Sequence, residues 1–202
     1  HDFCNGDLSA FYFDIRKDTL YCDSPASIER RACRTVMDEV LQCLISWIAP
    51  ILCFTADEAW MAYRGDENDS IHLHEYAATD PAWQNAELGE KWAAIRMLRS
   101  QITTALEAAR NDGLIGGSLS ADIRVETAAE TAVLLEGLDL ASLCITSSAE
   151  LIKGEGETKI EVRRADGGKC ARCWKQFPEI PKDSDSDICT RCQTVVAEQG
   201  AA

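Results

Sequence analysis

Apolar residues recur at intervals of three and four over the first eighty positions, the mark of helices with one buried face. Leu8, Phe11, Tyr12 and Ile15 trace the first such face. Ser24-Pro25 reads as an N-cap followed by the first helical position. Ile28, Val36, Val40, Cys43, Leu44 and Trp47 continue at helical spacing until Pro50 stops the run. Thr55-Ala56-Asp57-Glu58 reads as a capping box, with Phe54 and Ala59 as a staple, opening a short helix that ends near Gly65. Three helices with short connections predict an antiparallel bundle. Ser70 to Tyr76 alternates, with Ile71 and Leu73 on one side, and predicts a short strand leading out.

The period then changes. Leu88, Trp92, Ile95, Leu98, Ile102 and Leu106 predict a long amphipathic helix ending near Gly113, and Gly116-Gly117 a turn. Ala121, Ile123 and Val125 alternate as a strand, Thr131 to Leu138 reads as a short helix, and Leu143 to Thr146 and Lys159 to Arg163 are further strand candidates. A helix on a small sheet is an α+β subdomain. No internal repeat emerges, and the low-complexity loop is confined to 183–187.

Composition divides the chain in the same places. Of 202 residues, 46% are hydrophobic and 27% charged, room for one large domain or two small ones. The net charge of −14 argues against a free-standing non-specific nucleic-acid binder. The acidity is uneven. Residues 1–80 carry 6 basic and 15 acidic side chains, residues 81–165 carry 9 and 13, and residues 166–202 carry 5 and 6. Any polyanion contact is therefore expected in a local patch, with the nearly neutral tail the first place to look. The longest apolar stretch, Cys43 to Phe54, holds Ser46 and Pro50 and is too short to cross a bilayer. No basic n-region with an apolar h-region opens the chain, so no signal peptide is expected. The chain starts His1-Asp2 in what reads as mid-helix, and the expectation is a piece of a longer protein.

Ten cysteines fall into two classes. Cys4, Cys22, Cys33, Cys43, Cys53 and Cys144 are scattered among apolar residues and read as buried small hydrophobes in a reducing cytosol. Cys170, Cys173, Cys189 and Cys192 form C-x2-C-x15-C-x2-C, which lies in the zinc range. Two residues between thiols let one tight knuckle offer both sulfurs to one ion. Two knuckles complete a tetrahedron with sulfurs about 2.3 Å from Zn²⁺. Gly167-Gly168 permits the sharp entry. Four sulfurs leave no open position, so one structural Zn²⁺ is expected, with the metal supplying the fold of a loop that has no core of its own. A pair of redox dithiols is the competing reading. Arg172, Trp174, Lys175, Lys182 and Arg191 decorate the knuckles, and an indole beside guanidinium groups suits base stacking and phosphate contact. Packing of Trp174 over the knuckle is the alternative.

Other constellations are weak. His72 and His74 share one face of the expected strand and read as solvated rather than metal-binding. Arg16, Lys17 and the Glu29–Arg34 run are basic spots whose default is a solvated helix face. The sequence holds no glycine-rich phosphate loop, Ser-His-Asp set or nucleotide fingerprint, and no catalytic residue is expected.

With those residues in hand, the chain resembles the C-terminal part of the bacterial isoleucyl-tRNA synthetase family over essentially its whole length. The matching segments are Leu8-Ser-Ala-Phe-Tyr-Phe-Asp-Ile-Arg-Lys-Asp18, Trp47-Ile-Ala-Pro-Ile-Leu-Cys-Phe-Thr-Ala-Asp-Glu-Ala-Trp60, Ile115-Gly-Gly-Ser118, and Lys169-Cys-Ala-Arg-Cys-Trp174 with Cys189-Thr-Arg-Cys192. The helical segments are shared with valyl- and leucyl-tRNA synthetases; the terminal knuckle points to the isoleucyl member. The resemblance implies a helical anticodon-binding domain over 1–80 lacking its first helix, a small α+β junction over 81–165, and a zinc-finger module over 166–202 that helps hold tRNA. It implies upstream catalytic and editing domains in the same polypeptide, with ATP bound there, and a monomeric, cytoplasmic parent without membrane contact. That parent would be the ligase joining isoleucine to tRNA(Ile), and this chain would bind and orient the tRNA. The expected tRNA contacts are Arg172, Trp174, Lys175 and Arg191 first, then Arg16, Lys17, Arg30, Arg31 and Arg34. Gly117 and Ser120 stand where the family commonly has Lys and Glu, so any role of those side chains does not carry over. The rival readings are the zinc tail of a DNA repair glycosylase, whose Pro-Glu catalytic start is absent, and a zinc-stabilised interaction module without nucleic acid.

Overall fold

The first apolar face forms, with a change of winding. Phe3–Phe13 coil as a π-helix and run directly into α1 (Asp14–Cys22) in the computed structural model, which describes residues 1–200. Next come α2 (Ile28–Ile48) and α3 (Cys53–Arg64), 3₁₀ turns at Ile71–Leu73 and Pro81–Trp83, and the long α4 (Ala86–Asn111). The chain continues through β1 (Ala121–Ala128), α5 (Ala129–Leu134), α6 (Leu140–Cys144), β2 (Ser148–Gly154) and β3 (Lys159–Arg164). The tail adds β4 (Gly168–Lys169), β5 (Gln176–Phe177) and α7 (Thr190–Gly200). The protein is thus mainly helical with a small sheet region. It divides into two compact units: residues 26–85 form one, and the other joins the first 25 residues to the chain from Ala86 onward.

In the larger unit β1 is the central strand, parallel to β2 and antiparallel to β3. Its alternation is the expected one: Ala121, Ile123 and Val125 are fully buried. They meet the α4 stripe of Ile95, Leu98, Ile102 and Leu106, and Ile15 of α1 joins the same core. Each such side chain contributes about 1.5–3 kcal/mol on burial, so this interface holds the unit together. Gly113, at φ +73°, ends α4 as expected. Leu143 to Thr146 is not a strand. It ends α6, whose C-cap Ile145 takes a left-handed conformation at φ 57°, and the amide of Thr146 bonds the Ala141 carbonyl at 2.9 Å. The strand lies just beyond, at Ser148–Gly154, only half-buried and without a clean alternation.

In the smaller unit α2 and α3 pack around Ile45, Ala49, Ala56, Trp60 and Ile71. The expected three-helix bundle is not one body. The apolar side of the first helix is taken by the sheet unit, where Phe11 meets Trp92 edge-on at 6.1 Å. Helix α2 starts later than Ser24-Pro25 suggests: Ser27 is extended and its hydroxyl accepts the Arg30 amide at 3.0 Å. The Thr55 capping box does not form either. Helix α3 already starts at Cys53, and Asp57 instead accepts the Ser70 hydroxyl at 2.6 Å and the Ile71 amide at 3.1 Å. That ties down a 3₁₀ turn where a strand was expected, with Ser70 itself as its cap. Gly65 closes α3 in the left-handed conformation, as the sequence predicts. Of the face of α2 that periodicity marks as buried, Cys43 is buried and Val40 and Leu44 half-buried, but Ile28, Val36 and Trp47 are exposed, and Cys33 and Ile45 turn inward instead. Among the described residues no helix is long and apolar enough to cross a membrane.

Candidate functional site

Two short structures bring the four tail cysteines together. β4 and β5 pair Gly168 with Phe177 and Lys169 with Gln176, and the first knuckle is the tip of this hairpin. There the Cys170 amide bonds the Lys175 carbonyl at 2.9 Å and the Trp174 amide bonds the Cys170 carbonyl at 3.0 Å. The second knuckle is the N-terminal turn of α7, with Cys189 just before it and Cys192 inside it. The entry is tight, as expected of Gly167-Gly168. Gly167 sits at φ +88°, and a Cβ on either glycine would collide with backbone, the Phe177 carbonyl for Gly167 and the Pro181 carbonyl for Gly168.

The four sulfurs lie within 4.8 Å of one another and all four residues are buried. Sulfurs held tetrahedrally about 2.3 Å from an ion would stand about 3.8 Å apart. The Cys173–Cys189 sulfur separation is 3.9 Å, and both are free thiols. Backbone amides of Cys173 and Cys189 point at the Cys170 sulfur from 3.5 and 3.3 Å. Burial alone would raise that thiol; these donors outweigh it and hold the thiol below its ordinary value. Such N–H···S bonds favour the thiolate, the form that binds metal. The other cysteines do not share this setting. Cys144, pushed up to about 12 by burial, and Cys22, pushed up to about 11, are inert small hydrophobes. Cys33 and Cys43 are buried too, whereas Cys4, on the first helix, and Cys53, at the start of α3, are exposed, contrary to expectation.

The cationic residues of the knuckles separate into two groups. Trp174 is 59% exposed and adopts φ 67°, a left-handed conformation unusual for a residue with a Cβ. The ammonium of Lys169, across the hairpin, lies 5.0 Å from its ring centroid. Arg172, Lys175 and Arg191 reach groups of α1 and its end. The Arg172 guanidinium donates to the carbonyls of Cys22 at 2.6 Å and Tyr21 at 3.1 Å. Arg191 grips both carboxylate oxygens of Asp18 at 2.7 Å and reaches Asp23 at 3.1 Å. Lys175 is buried, with its ammonium 3.5 Å from the Ser142 hydroxyl and 4.0 Å from Asp18. Burial works to raise the Asp18 carboxyl, and the hydrogen bonds and charge of Arg191 more than reverse it, so the group sits below the ordinary 3.8.

Between α1, α6 and the first knuckle lies a cavity of about 490 Å³, with Ile15, Tyr21, Leu119, Ile145 and Trp174 in its wall. The two non-glycine residues with positive φ among the described residues, Ile145 and Trp174, both line it. Arg16 and Lys17 lie on α1, where Lys17 pairs with Asp14 at 2.8 Å, whereas Arg30, Arg31 and Arg34 lie on α2 in the other unit. The His72 ring donates to the Cys53 carbonyl at 3.2 Å, and His74 meets Asp69 at 2.5 Å, so the two histidines do not converge. Sequence reasoning missed Lys169 as an aromatic partner, although its place beside Cys170 at the entry to the first knuckle was a usable signal. It had no signal for Asp18 and Asp23, which lie more than 160 positions from Arg191.

Comparison with known proteins gives a consistent picture. Residues 1–126 match the family model described as the anticodon-binding domain of tRNA ligase. Isoleucine–tRNA ligase of Gluconobacter oxydans (strain 621H) is 49% identical over 201 residues, covering 98% of this chain and 21% of that protein. The isoleucine–tRNA ligases of Zymomonas mobilis and Agrobacterium fabrum are 43% and 39% identical over 98% and 99% of the chain. The chain spans about a fifth of the length of these relatives. With the family model covering more than half of its residues, the chain belongs to the anticodon-binding domain family of tRNA ligases.

Proposed function

We propose that the chain is the tRNA-binding C-terminal part of an isoleucine–tRNA ligase, which attaches isoleucine to tRNA(Ile) with ATP in the cytoplasm. In this reading the catalytic and editing domains, and the ATP site, lie elsewhere in the same polypeptide. Residues 1–80 serve as the helical anticodon-binding domain, 81–165 as the junction and 166–202 as the zinc module. The observation that carries the reading is the exposed indole of Trp174 on the hairpin that contributes to the four-cysteine cluster, in a chain of this family. A left-handed conformation costs a residue with a Cβ about 1–2 kcal/mol. A glycine would remove that strain, so the position serves its side chain rather than its backbone.

Zinc is the ion the four sulfurs fit. An all-sulfur, closed, tetrahedral set selects zinc over the oxygen-seeking divalent ions and leaves no place for a substrate. Cys170, Cys173, Cys189 and Cys192 would hold it, and its contribution is to fold the hairpin that carries Trp174. The basic spots at Arg16, Lys17, Arg30, Arg31 and Arg34 supply secondary phosphate contacts.

The test compares Trp174→Ala and Trp174→Gly in the full-length protein. Base stacking on an aromatic is worth roughly 1–3 kcal/mol. Both variants are expected to bind tRNA(Ile) about 10-fold or more weakly, since about 1.4 kcal/mol is tenfold. Trp174→Gly is expected to keep or raise thermal stability because it relieves the backbone. Loss of stability in both with unchanged tRNA affinity would mean that the indole only packs. The chain alone is expected to catalyse no isoleucine-dependent ATP–pyrophosphate exchange, and exchange above a mock preparation would refute the assignment of catalysis to other domains.

A further inference from the structure

Three cations of the tail, Arg172, Lys175 and Arg191, converge on the C-terminal half of one short helix, α1. Charge alone would make all three candidates for a phosphate backbone. Their geometry makes them something else. The last carbonyls of a helix lack intrahelical donors and carry the negative end of its dipole. Arg172 supplies donors to two of them, those of Tyr21 and Cys22, while the same Nη1 lies 3.6 Å from the Cys192 sulfur. One guanidinium thus touches both the end of α1 and the four-cysteine cluster. Arg191 fills its planar fork with the Asp18 carboxylate and places its remaining reach on Asp23. Both carboxylates are mostly buried, their side chains 22% exposed. A two-pronged Arg–carboxylate pair fixes orientation as well as distance, which a lysine in the same place does not.

The geometry points to Arg191 as a positioning residue: clasped by Asp18 and Asp23, and seconded by Arg172, it locks the cysteine tail onto α1 and thereby sets where Trp174 presents its ring to tRNA. This rests on the proposed tRNA-binding function. Arg191 acts through the knuckle rather than on the nucleic acid. The chain of contacts is short. Arg191 and Cys192 are neighbours in the second knuckle, Cys189 and Cys192 join the first knuckle through the sulfur cluster, and Trp174 follows Cys173.

The sign of one substitution separates a latch from a phosphate contact. Asp18→Asn removes a negative charge and leaves Arg191 only the pairing with Asp23. If Arg191 touched phosphate, the variant would bind tRNA(Ile) more tightly. As a latch, it is expected to bind about 5-fold or more weakly in the full-length protein. Arg191→Gln is expected to show a similar loss, and the double variant Asp18→Asn/Arg191→Gln no more than the worse single one, because both remove one interaction. Arg191→Lys keeps the charge and loses the fork, and is expected to recover less than half of the affinity. In each variant metal content stays at one ion per chain, while amide exchange quickens across residues 168–200 and in the last turn of α1. Tighter binding by Asp18→Asn, full rescue by Arg191→Lys, or unchanged exchange overturns the proposal. Faster exchange with tRNA affinity lost only in Trp174→Ala also overturns it, since the latch would then place nothing. If Trp174→Ala and the latch variants all leave affinity unchanged, the tRNA reading of the tail fails, and the exchange data alone decide whether Arg191 locks the tail to α1.

Discussion

Chelating out the zinc proposed for the four cysteines is expected, in the full-length protein, to unfold residues 168–200 while leaving α4 and the three-stranded sheet folded. Apart from its clasp to α1, the tail has little else to hold it. Its hairpin is two residues a side, and apart from the cysteines its buried cluster draws on Ile180, with Phe177 and Ile188 partly buried. Metal binding in small four-ligand zinc modules supplies about 10–16 kcal/mol, far more than those side chains contribute. Without the ion, four thiols confined within 4.8 Å must stay mostly protonated or separate, because adjacent thiolates repel. The sheet unit is independent of this, since Ile102, Ile123 and Val125 are buried among one another and touch no sulfur ligand. Near-ultraviolet dichroism and amide exchange before and after chelation check the result, and Cys189→Ser should reproduce it. A Cys189→Ser protein that kept its metal and its tail protection would remove Cys189 from the ligand set.

Gly168→Ala is expected to destabilise the tail by about 2–4 kcal/mol, the sum of overpacking and a strained backbone hydrogen bond. The added methyl would land on the carbonyl of Pro181, and backbone cannot move aside as a side-chain tip can. Relief would stretch the Gly168 amide bond to the Ile180 carbonyl, now 2.7 Å, and shift the strand that delivers Cys170. The measurable consequence is faster metal loss to a competing chelator. Gly116→Ala is the control: a Cβ there meets nothing within 4 Å, and no change is expected. Equal behaviour of the two variants would show that the hairpin entry tolerates a side chain.

These results bear on what a sequence exposes to reading. The α4 stripe and the β1 alternation were legible because each buries one continuous face, so periodicity and burial coincide. The cysteine quartet was legible because ligand spacing is local within each knuckle. Local signals failed where a distant partner outbid them. Thr55 to Glu58 has the composition of a cap, yet Asp57 is claimed by Ser70 and Ile71. Ile71 and Leu73 alternate like a strand, but no neighbouring strand is there to pair with them, and the segment winds into a single 3₁₀ turn. Arg172, Lys175 and Arg191 read as a basic patch because the groups that hold them, Asp18, Asp23 and the carbonyls of Tyr21 and Cys22, lie 150 or more positions away.

That last pairing also sets an order of events during synthesis. Asp18 and Arg191 are 173 residues apart. At roughly 5–20 residues per second, a ribosome delivers Arg191 roughly 9–35 s after Asp18. Through that interval α1 lacks its clasp, and for most of it the capping guanidinium of Arg172 as well. α1 is therefore completed only when α7 is made. A chain that stops short of α7 would carry a fully translated sheet core and an unfinished α1.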